Sequence, residues 1–462
     1  MIRTIAATPA YGIVAASTSC LLAGTFYSFP LLFEELKGPL RLSQLDVAVA
    51  GACAYSSVLM CLSLGPFVYP AFPSPHHRHV YFRSSLLAIT AAWAILGSAT
   101  AVSGTFAAVL MAAGATALGV SCGMSYPYEM VTLIMDGRVA DVVAGGYASA
   151  VFASAGLVAT VYLVVLQHAP HLGSLAAMRI FVATFGSVSA LFTFAAFAYD
   201  TSPPDPSPTL GEDRPLVQPA EGNEPEGPLR TPRQLLSDAL AFPLRKVSFA
   251  LATVVLALKV GIGATAIANI GAVVASAGVT GLDVGWGVVK LMAAQVVGRI
   301  TLASVSALPL FGQGHGALIL VSLGYTALFG WAWLAGGVAA HSVGAYTITL
   351  GFLYGIMWTV TSYIPRFAHP VTKDVGDYWQ ILMSVANPSA IFTTAAFGAA
   401  TGKLYAAQCR AGENSCDGKH CFRDSFLMLA VASAVLLAAS LALTLINTVF
   451  QERDDGKRQA HS

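Results

Sequence analysis

TSPPDPSPTLGEDRPLVQPAEGNEPEGPLRTP, residues 201–232, lies near the middle of the chain and decides how the rest is read. It is rich in Pro and acid and holds no apolar run able to build a core. A segment of this composition cannot offset the entropy lost on ordering, so Asp200 to Lys246 reads as a largely disordered loop. Both flanks have the opposite character, with long apolar runs separated by short polar breaks. A membrane-spanning helix needs about 20 apolar residues at about 1.5 Å rise each. Six such runs precede the loop, at 8–33, 44–67, 80–102, 105–127, 140–166 and 175–199. Six follow it, at 248–275, 284–305, 315–337, 343–364, 378–402 and 423–449. The expectation is an all-α membrane protein of twelve helices. Its parts are two six-helix halves, 1–199 and 247–450, a cytoplasmic loop at 200–246 and a cytoplasmic tail at 451–462.

Composition agrees. Of the 462 residues 56% are hydrophobic and only 10% charged, against roughly a quarter charged in soluble domains. No basic patch is interleaved with aromatics, so nucleic acid is not an expected partner. The chain has no phosphate-binding loop, zinc-ligand motif or nucleophile elbow. It is therefore not expected to be an enzyme, nor to carry a cofactor or a metal. His76, His77 and His79 fall in a Pro-broken loop with no Cys or acid nearby and read as solvated. The opening MIRTIAATPAYGIVAASTSC resembles a signal peptide, but its apolar run continues to Phe33, long enough for a retained helix.

Lys and Arg are about twice as frequent on the side of both termini and the central loop as on the other side. Both termini are therefore expected in the cytoplasm, in a plasma membrane or an endomembrane. Cys20, Cys53, Cys61 and Cys122 lie in apolar runs and read as small hydrophobes. Cys416 and Cys421 share a loop on the non-cytoplasmic side and are close enough to bridge, leaving Cys409 odd.

Charges inside the spans are the candidates for function. Lys259 sits about 11 residues into its span, near the midplane, where an ammonium costs at least about 2.5–3.5 kcal/mol. The alternative is a Lys that snorkels to the interface. Arg299 follows Gln295 by four residues, on one helix face. It is a candidate substrate contact, or else a gate residue bonded to carbonyls. Lys290 is out of phase with Arg299 and shares a face with Asp283, so it reads as an interface residue. Tyr27, Asn269, Tyr354 and Trp358 are amphipathic or polar groups placed either for substrate or for helix packing. Asp46, Glu129 and Asp283 all fall at expected span ends. Glu129, after the fourth span, reads as a gate or loop residue. With no carboxylate at the depth of Lys259, its charge is best compensated by an anionic solute.

Several stretches carry a resemblance. They are AGTFYSFPLLFEELKGPLRLSQ (23–44), GIGATAIANIGAVVASAG (261–278), the Gly298-Arg299 pair, GFLYGIMWTVTSYIPRF (351–367) and CDGKHCF (416–422). Together they resemble the nodulin-like branch of the major facilitator superfamily, which is related to the monocarboxylate transporter and oxalate–formate exchanger groups. The resemblance implies a twelve-helix major facilitator fold, transport of a small solute by alternating access, and a small organic anion as cargo. Arg299 matches the Arg that helps bind substrate in monocarboxylate transporters, and Gln295 stands where those carry an acid. Exchange or facilitated diffusion is therefore expected over proton symport. The chain departs from the family after Gly65-Pro66, where FVYPAFPSPHHRHVYFR lacks the usual Asp. The other readings are a neutral or cationic solute, including a metal complex, and a non-transporting membrane sensor. A transporter needs a polar cavity reaching the midplane, and residues 259, 299 and 358 are the ones expected to line it.

Overall fold

The structure, a computed structural model, describes residues 9–63, 75–135, 141–169, 172–198, 247–279, 282–305, 315–361, 375–409, 416 and 418–459. Regular structure among them is helical throughout. The central loop, expected to be disordered, lies outside the described residues.

Before the loop, α1 runs in two segments, Pro9–Gly24 and Phe29–Leu40, joined by a tight turn at Thr25–Ser28. Then come α2 (Gln44–Ser63), α3 (Pro75–Ala99), α4 (Gly104–Met135), α5 (Asp141–Gln167) and α6 (Ser174–Ala198). After it, α7 is also broken, into Val247–Ala268 and Ile270–Ser276 around Asn269. There follow α8 (Leu282–Val305), α9 (His315–Leu334), α10 (Val343–Thr361), α11 (Val375–Gln408) and α12 (Arg423–Gln459). Among the described residues eleven helices are long and apolar enough to cross a membrane. With α11 (Val375–Gln408), which is not among those eleven, six helices precede the loop and six follow it. Twelve traversals put Pro9 and Gln459 at one end of the bundle, here the terminal end, and Leu40 and Gln44 at the distal end.

Local chemistry explains the boundaries that matter. Arg41 ends α1 in the left-handed region, φ 57°, with its N–H turned back to Gly38 and Lys37. Ser43 and Asp46 then cap the start of α2 reciprocally: Ser43 donates to Oδ2 at 2.7 Å, and the Asp46 N–H returns to Oγ at 3.2 Å. Two boundaries differ from those read in the sequence. α4 continues past Pro127 to Met135, because a membrane helix tolerates an internal proline, so Glu129 lies within the helix and not after it. α3 begins at Pro75, a favoured first-turn position, so His76, His77 and His79 fall in its first two turns and not in a loop.

The halves meet along three lines: α2 against α7 and α11, α5 against α8, and the distal segment of α1 against that of α7. Lipid supplies no hydrophobic drive for helix association, so the contacts rely on close packing of small residues. At Gly271 a Cβ would lie 2.7 Å from the Pro30 carbonyl, so only glycine lets α7 approach α1 across the seam.

Candidate functional site

The break in α1 makes the site. Thr25 and Ser28 turn their hydroxyls onto the carbonyls of Leu22 and Thr25, each at 2.7 Å, which satisfies the chain where the regular ladder stops. The turn presents Phe26 and Tyr27 to the interior. Tyr27 packs edge-on against Phe152 of α5 at 5.5 Å and faces Tyr354 of α10 at 6.4 Å.

Into this layer α8 inserts Arg299, only 1% exposed. Its Nη2 donates to the Tyr27 hydroxyl at 2.8 Å, and its Nη1 donates to the Ser149 carbonyl of α5. The guanidinium also stands 5.2 Å above the Tyr27 ring, within cation–π range. One cation of the C-terminal half is therefore held by two helices of the N-terminal half. Its Nε has no hydrogen-bond partner, and the same holds for Trp358 Nε1 and the Tyr354 hydroxyl. α8 and α10 touch closely enough that a Cβ on Gly355 would meet the Gln295 carbonyl at 2.3 Å, and this contact brings Tyr354 and Trp358 alongside Arg299. Arg299, Trp358, Tyr27, Tyr55 and Tyr126 line a cavity of about 30 Å³ between the halves. That volume admits a water molecule and not a solute, so the site is closed in this state.

No protein-family model matches the sequence, and neither does any curated protein. Solved structures do match. A variant of the nucleoside transporter NupG aligns with TM-score 0.64 at 13% identity, covering 94% of this chain and 99% of that one. NupG itself aligns at 0.59 and 12% identity, with coverage of 94% and 99%. A Major Facilitator Superfamily transporter, FucP, in the outward conformation, aligns at 0.54 and 15% identity, covering 92% and 98%. This chain has the major facilitator fold.

The Arg299 cavity lies where the two halves meet, lined from both. Lys259 is also buried, 1% exposed, but its Nζ donates to the Met357 carbonyl of α10 at 3.3 Å, and it is not among the residues lining the cavity. Gln295 is fully buried one turn before Arg299, with Nε2 toward the Met292 sulfur at 3.4 Å and Oε1 without a partner. Lys290 is exposed.

Asn269 belongs to a second layer, toward the distal end. Lys37 donates to Gln44 Oε1 at 3.0 Å, and Gln44 Nε2 donates to Asn269 Oδ1 at 3.0 Å. The chain of bonds crosses from one half to the other at the break in α7. Lys37 also sits 5.2 Å over the Tyr405 ring, and the Tyr405 hydroxyl accepts from the Cys416 N–H at 2.9 Å. Cys416 and Cys421 are joined by a disulfide, S–S 2.08 Å. The Gly418 N–H in their loop donates to the Ser276 carbonyl at 3.1 Å, tying the loop to the distal segment of α7. The distal end is therefore closed by a connected polar lattice.

Toward the terminal end, Glu129 is fully buried and accepts from Ser17 of α1 at 2.7 Å, while its Oε2 has no partner. Glu129 ends the span Gly104–Glu129, at a span end as expected, yet its side chain is turned into the protein. The signal was present: Ser121, Ser125 and Glu129 recur every four residues on one face of α4. Ser19 and Ser85 join Ser125 in a hydroxyl cluster, with Ser19 2.8 Å from Ser125 and 3.0 Å from Ser85.

Proposed function

We propose that this chain is an alternating-access transporter for a small organic anion of monocarboxylate type, with Arg299 as the anion's principal contact. The observation that carries this reading is the donor set around the cavity. Arg299 Nε and Trp358 Nε1, on residues that line it, are buried donors without partners, and a carboxylate is an acceptor only. A charge-assisted bond to guanidinium is among the strongest available in a low-dielectric site. The likeness of several stretches to the nodulin-like branch supports the same class of cargo. Lys259 then acts at one remove, holding the α10 carbonyl next to Trp358.

On this reading the distal end faces outward, both termini are cytoplasmic, and the present state is closed to the outside. Transport requires the halves to rock so that the cavity widens toward one side. A neutral, ring-bearing solute is the second reading. It is favoured by the aromatic walls, Phe26, Tyr27, Tyr55 and Trp358, which would stack a planar ring. NupG is described as a nucleoside transporter. Uptake into proteoliposomes of labelled lactate, pyruvate, oxalate, formate, uridine and adenosine separates the two. Saturable flux of a carboxylate supports the proposal; flux of nucleosides alone replaces it with the second reading; flux of none favours a sensor.

A further inference from the structure

On the flank of the N-terminal half, away from the seam, α3 and α6 part to leave a cleft of about 440 Å³. It shares no lining residue with the Arg299 cavity. Arg179 closes one end, donating from Nη2 to the Thr100 carbonyl at 2.9 Å. The other end is closed by Thr90 and Thr193, whose hydroxyls lie 2.9 Å apart. Ten residues of α3 separate Thr90 from Thr100, or about 15 Å of helix. That is half of the roughly 30 Å hydrocarbon thickness, the depth of one leaflet.

The walls are shaped for a chain and not for another helix side chain. Gly97 and Gly186 keep the floor open, and Trp93, stacked on Phe185 at 5.6 Å, forms its base. Trp93 is 1% exposed and its indole N–H has no acceptor. The outward side is open, since Ala94, Ala183 and Ser187 are exposed. Arg179 is exposed as well, and only one of its five N–H donors is used by Thr100.

We propose that the cleft binds one anionic phospholipid, with an acyl chain along the Gly97–Gly186 floor and the phosphate on Arg179. Guanidinium pairs with phosphate through parallel N–H bonds, and Arg179, near the distal start of α6, stands at the end of the cleft where a headgroup would lie.

The test uses the full chain in nanodiscs of phosphatidylcholine doped with phosphatidylglycerol that carries a photoactivatable acyl chain, followed by peptide mapping. Labelling concentrates on α3 and α6 and is competed by unlabelled phosphatidylglycerol. Gly186→Leu fills the floor and Arg179→Gln removes the headgroup contact; each lowers the labelling roughly tenfold. Ala94→Leu fills the same space from the opposite wall and reports on it if the glycine variant does not fold. The proposal is overturned if α3 and α6 label no more than other lipid-facing helices, if a phosphatidylcholine probe labels them equally, or if the variants change nothing. Cross-links between two copies through α3 and α6 would overturn it too, by making the cleft a contact between protomers.

Discussion

Replacing Asn269 by Ala should open the distal end of the bundle. Asn269 is 3% exposed and Gln44 2%, and the single bond between them joins the two halves. Alanine removes the acceptor and leaves the Gln44 amide donor buried and unsatisfied, at a cost of about 1–3 kcal/mol. The cost falls only on the state in which the halves meet at this end, because in the opened state water satisfies Gln44. The population ratio of closed to open should therefore fall by roughly 5- to 150-fold. The backbone turn survives, since the residue 269 carbonyl still accepts from the Val273 N–H at 3.0 Å. The readout is the distance distribution between spin labels at Phe106 and Ile348, exposed side chains near the distal ends of α4 and α10 in opposite halves. Asn269→Ala shifts that distribution to longer distances. Gln44→Ala does the same, and the double variant shifts it by less than the sum, as coupled partners require. An unchanged distribution, or strictly additive shifts, refutes the gate.

Three further outcomes follow from the same contacts. Glu129→Gln keeps an acceptor for Ser17 and should leave thermal stability unchanged, whereas Glu129→Leu strands the hydroxyl and costs about 1 kcal/mol, read by the melting temperature of the purified protein. Cys416 and Cys421 should react with a membrane-impermeant thiol reagent only after reduction; labelling of both without a reductant contradicts the bridge. Lys259→Ala should weaken solute flux less than any change at Arg299, because its contact is with the Met357 carbonyl and not with the cavity; complete loss of flux in well-folded protein would place Lys259 in the site itself.

The architecture was legible because bilayer thickness imposes a length and a composition on every traversal, and the Pro- and acid-rich centre separates two groups of six. Helix interruptions were harder. The turn at Thr25–Ser28 is flanked by Gly24 and by Pro30, which has no N–H for the ladder, but the hydroxyl-to-carbonyl bonds that close it are visible only in three dimensions. Arg299 could be singled out because a cation within an apolar run is costly on its own. Its partners could not, since Ser149 contributes a backbone carbonyl and Tyr27 lies 272 residues away. Glu129 stands at the end of its span as expected, but its burial was not legible, since it depends on α4 running on past Pro127 and packing against α1. Lys259 and Arg299 looked alike in sequence, and only packing separates them: one is turned to an α10 carbonyl, the other to the seam between the halves.

The most direct measurement of the central claim is carboxylate flux and binding in purified wild type, Arg299→Gln and Arg299→Lys. Losing one charge-assisted contact of about 1.5–3 kcal/mol should weaken apparent affinity roughly 10- to 150-fold. Lysine should restore part of it, keeping the charge without the planar fork. Wild-type carboxylate flux with Arg299→Gln lost and Arg299→Lys intermediate is the predicted result; carboxylate flux that is undiminished in folded Arg299→Gln would contradict it.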